Sequence, residues 1–342
     1  MKKLLLLFAI AMLALISCTK GDEPSPEPVG DTTLYMAANG LTGFPEAIYD
    51  LQGHIIYQCP DETYSIMSLT SEGSDWYAVL KTDGGIFSVV KNGKTISTTP
   101  EVIWSMAVEH GIVYTVQENK SDNTFWVNRG FERLYEVPSH VNYYTISVHG
   151  GAVVFTVNNK KPCTWWNGVI VEFEGLDEGF GYTYGISRTD DDALYVYQGY
   201  LSEKYKYIWN DIKSELPEKF VPTSSYIVNG HAFILGEKII SQGVGGLKGL
   251  PAVLIDGIET VLNNDHPGYR AVSLASHGVD TYILVNNSAG APSLVYKNLQ
   301  PINLPDVTTP YSVTPYGSDD YSGKSNLSML GIKAIATVEN DR

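Results

Sequence analysis

The chain has 342 residues, with 38 Asp and Glu against 23 Lys and Arg and a formal net charge of −15 at pH 7. That balance excludes nucleic acid as a partner, because phosphate binding needs a concentration of Lys and Arg. It suits a surface domain or one that binds cations or neutral sugars, and three cysteines are too few for a disulfide framework.

The first predicted element is a leader. Lys2 and Lys3 precede an apolar run from Leu4 to Ile16, which is too short to span a bilayer as a stable helix. A basic start, an apolar stretch and small residues before a break describe a secretory signal over residues 1–17. Leu15-Ile16-Ser17-Cys18 resembles a bacterial lipobox, and the resemblance implies cleavage there and lipidation of Cys18. Residues 18–31, CTKGDEPSPEPVGD, are polar and proline-rich without apolar periodicity, so they read as a flexible tether. Asp22-Glu23 resembles the export signals of surface lipoproteins in the Bacteroidetes. The implied location is the outer membrane, lipid-anchored at the cell surface or on the periplasmic face. Once Cys18 is lipidated only Cys59 and Cys163 remain, and they read as free.

From residue 32 onward the chain repeats. Residues 104–137 read WSMAVEHG, IVYTVQ, ENKSDN, TFWVNRG, FERLYEV, and residues 144–175 follow the same order. An aromatic of the second strand recurs as Tyr35, Tyr77, Tyr114, Phe155, Tyr195, Phe233 and Tyr282, in steps of 42, 37, 41, 40, 38 and 49 residues. Four short strands in a period near forty predict an all-β fold, a β-propeller over residues 32–342. Tyr35 begins a unit lacking a first strand, and Tyr311 to Gly317 reads as that missing strand, which closes a seventh blade. Six or eight blades stay open, because LSMLGIKAIATV would supply a further strand.

One turn motif punctuates the repeat: TWWNG at Thr164, with paler copies at Ser88, Tyr207 and Ala252. Asn-Gly lets two consecutive residues take positive φ, so TWWNG reads as the hairpin between strands three and four. Trp165 and Trp166 then point to opposite faces of their strand, one toward each neighbouring blade. Aromatic strands with Asn-Gly turns resemble the uncharacterised propeller lipoproteins of Bacteroidetes. The resemblance covers nearly all of residues 32–310 and implies fold and location only.

Connectivity separates two faces. Hairpins joining strands one to two and three to four share a regular face with His110, His149 and His277. Those histidines are spread around a ring with no ligand spacing, so no metal site is read there. The loops joining strands two to three share the opposite, variable face with the links between blades. They include residues 38–46, 118–123, 158–163, 198–205 and, as the longest, 236–251.

Carboxylates and aromatics gather on the variable face. The ligand-binding candidates are His140, Tyr143, Tyr144, Tyr182, Tyr184, Asp265, His266 and Tyr269. Aromatic rings stack on sugar faces while acids and amides bond hydroxyls, so polysaccharide is the favoured ligand. Converging carboxylates would instead hold calcium, the one cation considered. No Gly-x-Ser-x-Gly, His-Glu-x-x-His or phosphate loop is present, so no catalytic residue is assigned. A carbohydrate-active hydrolase or lyase remains an alternative to a non-catalytic binder, as does a scaffold for an outer-membrane protein partner.

Overall fold

The structure is a computed structural model that describes residues 32–339 apart from 41–44, 138–140, 158–162, 173–180, 190, 200–203, 244–245, 288–291 and 312–320. Short strands rich in Val, Ile, Tyr and Thr, separated by glycine-containing turns, favour antiparallel pairing between chain neighbours. Among the described residues they build seven four-stranded sheets and one two-stranded hairpin. Blades 2 to 7 are consecutive in sequence: 64–99, 102–137, 141–172, 181–215, 220–261 and 269–302. The fold is a β-propeller.

Blade 1 joins the two ends of the chain. Thr32–Ala38, Ala47–Tyr49 and Ile55–Gln58 supply its second to fourth strands, and Ile332–Glu339 pairs antiparallel with Thr32–Ala38 as its innermost strand. Closure therefore occurs as expected in kind but not in place. Asp306–Tyr311 instead pairs with Tyr321–Asn326 in the two-stranded hairpin. Ile332–Glu339 brings Ile332, Ile335, Ala336 and Val338 into the cores shared with blades 7 and 2, whereas YSVTPYG offers Val313 as its one aliphatic side chain.

The core lies between blades. Leu34, Met36, Ile332 and Ile335 of blade 1 pack with Tyr282, Leu284 and Val295 of blade 7. Blades 2 and 3 share Tyr77, Val79, Phe87, Ile103 and Val113, and blades 3 and 4 share Tyr114, Val116, Val127 and Val153. All seven ruler aromatics do sit on second strands. Tyr77, Tyr114, Tyr195 and Tyr282 are buried to 2% exposure or less. Each such ring removes a large apolar surface from water, which is the main force holding neighbouring blades together.

The TWWNG turn has the expected backbone, with Asn167 at φ 44° and Gly168 at φ 91°. Its asparagine does a second job. Asn167 Oδ1 accepts the Val153 N–H at 2.8 Å, while the Asn167 N–H donates to the Val153 carbonyl at 3.1 Å. Asn92 with Trp76, Asn210 with Ala193, Asp256 with Ala232 and Asn298 with Thr281 repeat this two-bond clasp. It ties each hairpin to the start of strand two. Gly168 is favoured by its positive φ, and a Cβ there would rest in ordinary van der Waals contact with the Tyr135 ring of blade 3. The opposed packing expected of Trp165 and Trp166 lies outside the described side chains.

Residues 236–243 and 246–251, within the stretch read as the longest variable loop, are strand. His231–Gly243 and Gly246–Ile255 extend as a paired ribbon, with Lys238 opposite Leu250 and Gln242 opposite Leu247. Backbone pairing satisfies the polar groups that an irregular loop of that length would have left to solvent.

Candidate functional site

Every inner strand carries the same irregularity. Pairing between strands one and two slips between Ile66 and Ser68, Ile103 and Ser105, Thr183 and Gly185, Pro222 and Ser224, and Ala271 and Ser273. Blade 4 slips between Asn142 and Ile146, and blade 1 skips Lys333 between Ile332 and Ala334. The extra residues are Met67, Trp104, Tyr184, Thr223, Val272, residues 143–145 and Lys333. A β-bulge bends its strand and re-aims the side chain it carries. Repeated in all seven sheets, it makes a ring of variable residues on a constant scaffold.

The bulged residues of blades 2 and 3 meet across one cleft. It holds about 390 Å³ and is lined by Met67, Ser68, Val79, Lys81 and Phe87 from blade 2, with Val102, Ile103, Trp104, Ser105 and Lys120 from blade 3. Lys81 stands where strand two of blade 2 ends, and Lys120 lies in the strand-two-to-three turn of blade 3, so the cleft opens on the variable face. The Trp104 indole donates from Nε1 to Glu118 Oε2 at 2.8 Å, which fixes the ring plane. Met67 is 51% exposed. Lys81 and Lys120 are exposed, and Lys81 Nζ rests 5.9 Å from the Phe87 ring. The cleft thus has an apolar wall, an anchored indole and ammonium donors at its mouth.

The sequence candidates fall in three places. Tyr184 is the bulged residue of blade 5; its Oη donates to Gln198 at 3.2 Å and its ring meets Tyr205 edge-on at 5.2 Å. The spacing repeats that of Trp104 and Glu118, a bulged aromatic bonded to a strand-two side chain fourteen residues on. Asp265, His266 and Tyr269 are brought together in the link between blades 6 and 7. The His266 and Tyr269 rings stand 5.2 Å apart, the Tyr269 hydroxyl accepts from Asn287 at 3.4 Å, and the Asp265 N–H donates to Asn263 at 2.6 Å. Tyr143 and Tyr144 occupy the blade 4 bulge by backbone register. Their side chains and that of Tyr182 lie outside the described residues, as do His140 and the tether with Cys18.

Met67, Trp104, Lys81 and Lys120 are not among the residues the sequence singles out. VIWSMAV reads as an ordinary strand, and the bulge exists only in its pairing with strand two. A weak signal was available: Ser or Gly follows the bulged residue in blades 2, 3, 5, 6 and 7. Gly185 shows why a small residue is favoured, because a Cβ there would overlap Ser225 of blade 6.

Several ionisable groups near this face are perturbed. Glu237 of blade 6 titrates above the usual carboxylate range because burial disfavours its charge, with Arg270 acting in the opposite direction. Cys59 is buried and free, and burial together with nearby Glu46 pushes its thiol up to about 12. Such a thiol is inert at neutral pH. Among the described residues no group of three His, Cys, Asp or Glu is arranged to hold a metal ion.

Carboxylates link neighbouring blades across the regular face. Glu72 of blade 2 accepts the His110 and Gly111 N–H groups of blade 3 at 2.5 Å each, and Glu109 of blade 3 accepts the Gly151 N–H of blade 4 at 2.6 Å. His277 Nδ1 stands 3.5 Å from Glu339 Oε1, linking blades 7 and 1.

Solved structures share this architecture. The β-propeller domain of the Trilobed protease from Pyrococcus furiosus, described as having an open velcro topology, matches with a TM-score of 0.51 at 12% identity, over 79% of this chain and 90% of that one. The computationally designed Ika8 protein gives 0.47 at 13% identity, covering 79% and 86%. A quinoprotein alcohol dehydrogenase-like protein from Bacteroides thetaiotaomicron gives 0.46 at 10%, covering 80% and 75%. Likeness at such identity shows the fold alone. No family model matches the chain, and no curated protein matches it.

Proposed function

We propose that this protein is a lipid-anchored lipoprotein of the outer membrane, of Bacteroidetes type, whose propeller binds polysaccharide at the cell surface without cleaving it. The observation that carries the reading is the cleft between blades 2 and 3. An indole held by its own hydrogen bond offers a flat apolar surface at little entropic cost, which suits the face of a pyranose ring. Met67 and Phe87 extend the apolar wall, and Lys81 and Lys120 supply donors for ring hydroxyls at the rim. The anchor rests on the lipobox-like Leu15-Ile16-Ser17-Cys18, and the polar tether gives the disc reach from the membrane.

Affinity electrophoresis of residues 19–342 through gels containing diverse polysaccharides tests the binding. Selective retardation that Trp104→Ala weakens by at least about tenfold, with no reducing ends released, is the expected result. Release of reducing ends would replace the binder with an enzyme. Retardation unaffected by Trp104→Ala would remove the cleft from the account.

A further inference from the structure

The regular face carries an exposed apolar arc that neither the fold nor the ligand cleft uses. Phe131 stands at the tip of the strand-three-to-four turn of blade 3 and is 79% exposed. In the next three blades the residue opening strand four is also apolar: Val169 at 63%, Ile212 at 67% and Ile258 at 72%. Val279, in the first hairpin of blade 7 on the same face, is 86% exposed. Cross-strand pairing of Ile212 with Trp209 and of Ile258 with Ile255 explains the register of these residues. It does not explain why they face water. Scattered single apolar residues are ordinary, but these recur at equivalent positions in four consecutive blades.

We propose that this arc is a membrane-docking rim, which lies on the lipid bilayer and holds the variable face outward. Two features of the fold identify the occupant. First, equivalent positions in a ring of equivalent sheets lie at one level along the ring axis. A flat surface meets them together, which a bilayer does and a convex protein does not. Second, the chain enters the fold on this side. Thr32 begins a second strand, and second strands start at the regular face and end at the variable face. The fourteen residues from Cys18 to Asp31 therefore join the fold on the same face as the rim, at blade 1, with a reach of at most about 50 Å. The arc has the shape for shallow insertion, in which binding strength follows the apolar area placed in the interface. Trp209, part-buried next to Ile212, adds an indole of the kind that favours the headgroup zone.

The choice of a bilayer over another flat partner rests on the lipid-anchor reading, so the test supplies its own anchor. Residues 19–342 with an N-terminal hexahistidine tag are recruited to phosphatidylethanolamine–phosphatidylcholine vesicles containing a nickel-chelating lipid. A photoactivatable diazirine phospholipid then labels whatever touches the bilayer, and labelled peptides are read by mass spectrometry. The expected result is labelling at Phe131, Val169, Ile212 and Ile258, with the cleft peptides around Met67 and Trp104 unlabelled. The triple change Phe131→Ser, Ile212→Ser and Ile258→Ser, all at exposed positions, should cut rim labelling by roughly tenfold while recruitment persists. Equal labelling of both faces, labelling of the cleft face, or rim labelling unmoved by the triple change would overturn the proposal. So would an unlabelled rim in a protein that dimerises through these residues, which would assign the arc to a second copy. Membrane release of the full chain by Cys18→Ala is measured separately, so that a failed anchor and a failed rim give different results.

Discussion

The two faces of the ring differ in how they use the same repeat. On the regular face five blades agree in side-chain chemistry: an Asn or Asp closes the clasp at Asn92, Asn167, Asn210, Asp256 and Asn298. On the variable face they agree only in backbone. The bulge recurs in every inner strand, yet it presents Met, Trp, Tyr, Thr, Val and Lys in turn. One face conserves bonds and lets geometry follow; the other conserves geometry and lets chemistry vary. That division suits a scaffold whose stability and recognition are separable.

The comparison can be broken by substitutions whose effects should sort by location. The largest effect belongs to the core common to both faces. Tyr114→Ala removes a ring buried between blades 3 and 4 and should cost about 3–5 kcal/mol in denaturant unfolding. Gly168→Ala forces a Cβ into positive φ, for about 1–2 kcal/mol by thermal melting. Asn210→Ala opens one clasp and should cost about 1 kcal/mol. None of these should alter the affinity of the folded protein for a ligand in the cleft.

The smallest effect is a pH dependence. Bonds to Lys91 and Lys297 hold the carboxyls of Asp75 and Asp280 below the usual range, with Asn92 and Asn298 adding to the same direction. Depressed carboxylates contribute stability above the ordinary Asp pKa of about 4, and lose it as pH falls through the lower folded value. The double change Asp75→Asn and Asp280→Asn should lower the melting temperature slightly at pH 7. The gap to the wild type should close in acid, as followed by melting curves across pH. Lys91 and Lys297 are partly exposed, so salt should shrink the same gap.

Much of this fold is legible in the sequence because second strands are buried on both sides and are therefore mostly aromatic or aliphatic. Tyr77 and Tyr282 mark their strands for that reason, and the Asn-Gly turns mark the hairpins. The closing strand is not legible by the same route. YSVTPYG and IKAIATVE both read as strands, and what separates them is the apolar content that the core of blade 1 buries, at Ile332, Ile335, Ala336 and Val338. The ribbon over residues 236–251 hides behind its glycines, which here allow close packing, as Gly249 does beneath the Glu237 side chain. The site is less legible still. A bulge is a relation between two strands, so Trp104 cannot be told from any other strand tryptophan until Ile103 and Ser105 are paired with Gln117 and Val116. The tyrosine-rich links lie at the same end of the blades as the candidate cleft between blades 2 and 3 and do not single it out.

Amide hydrogen exchange with and without a retarding polysaccharide tests the central claim most directly. The account predicts added protection at residues 66–68, 102–105 and 118–120, on both sides of the cleft, with the Asn-Gly hairpins unchanged. Protection confined to the hairpins of the regular face, with the cleft strands unaltered, would contradict it.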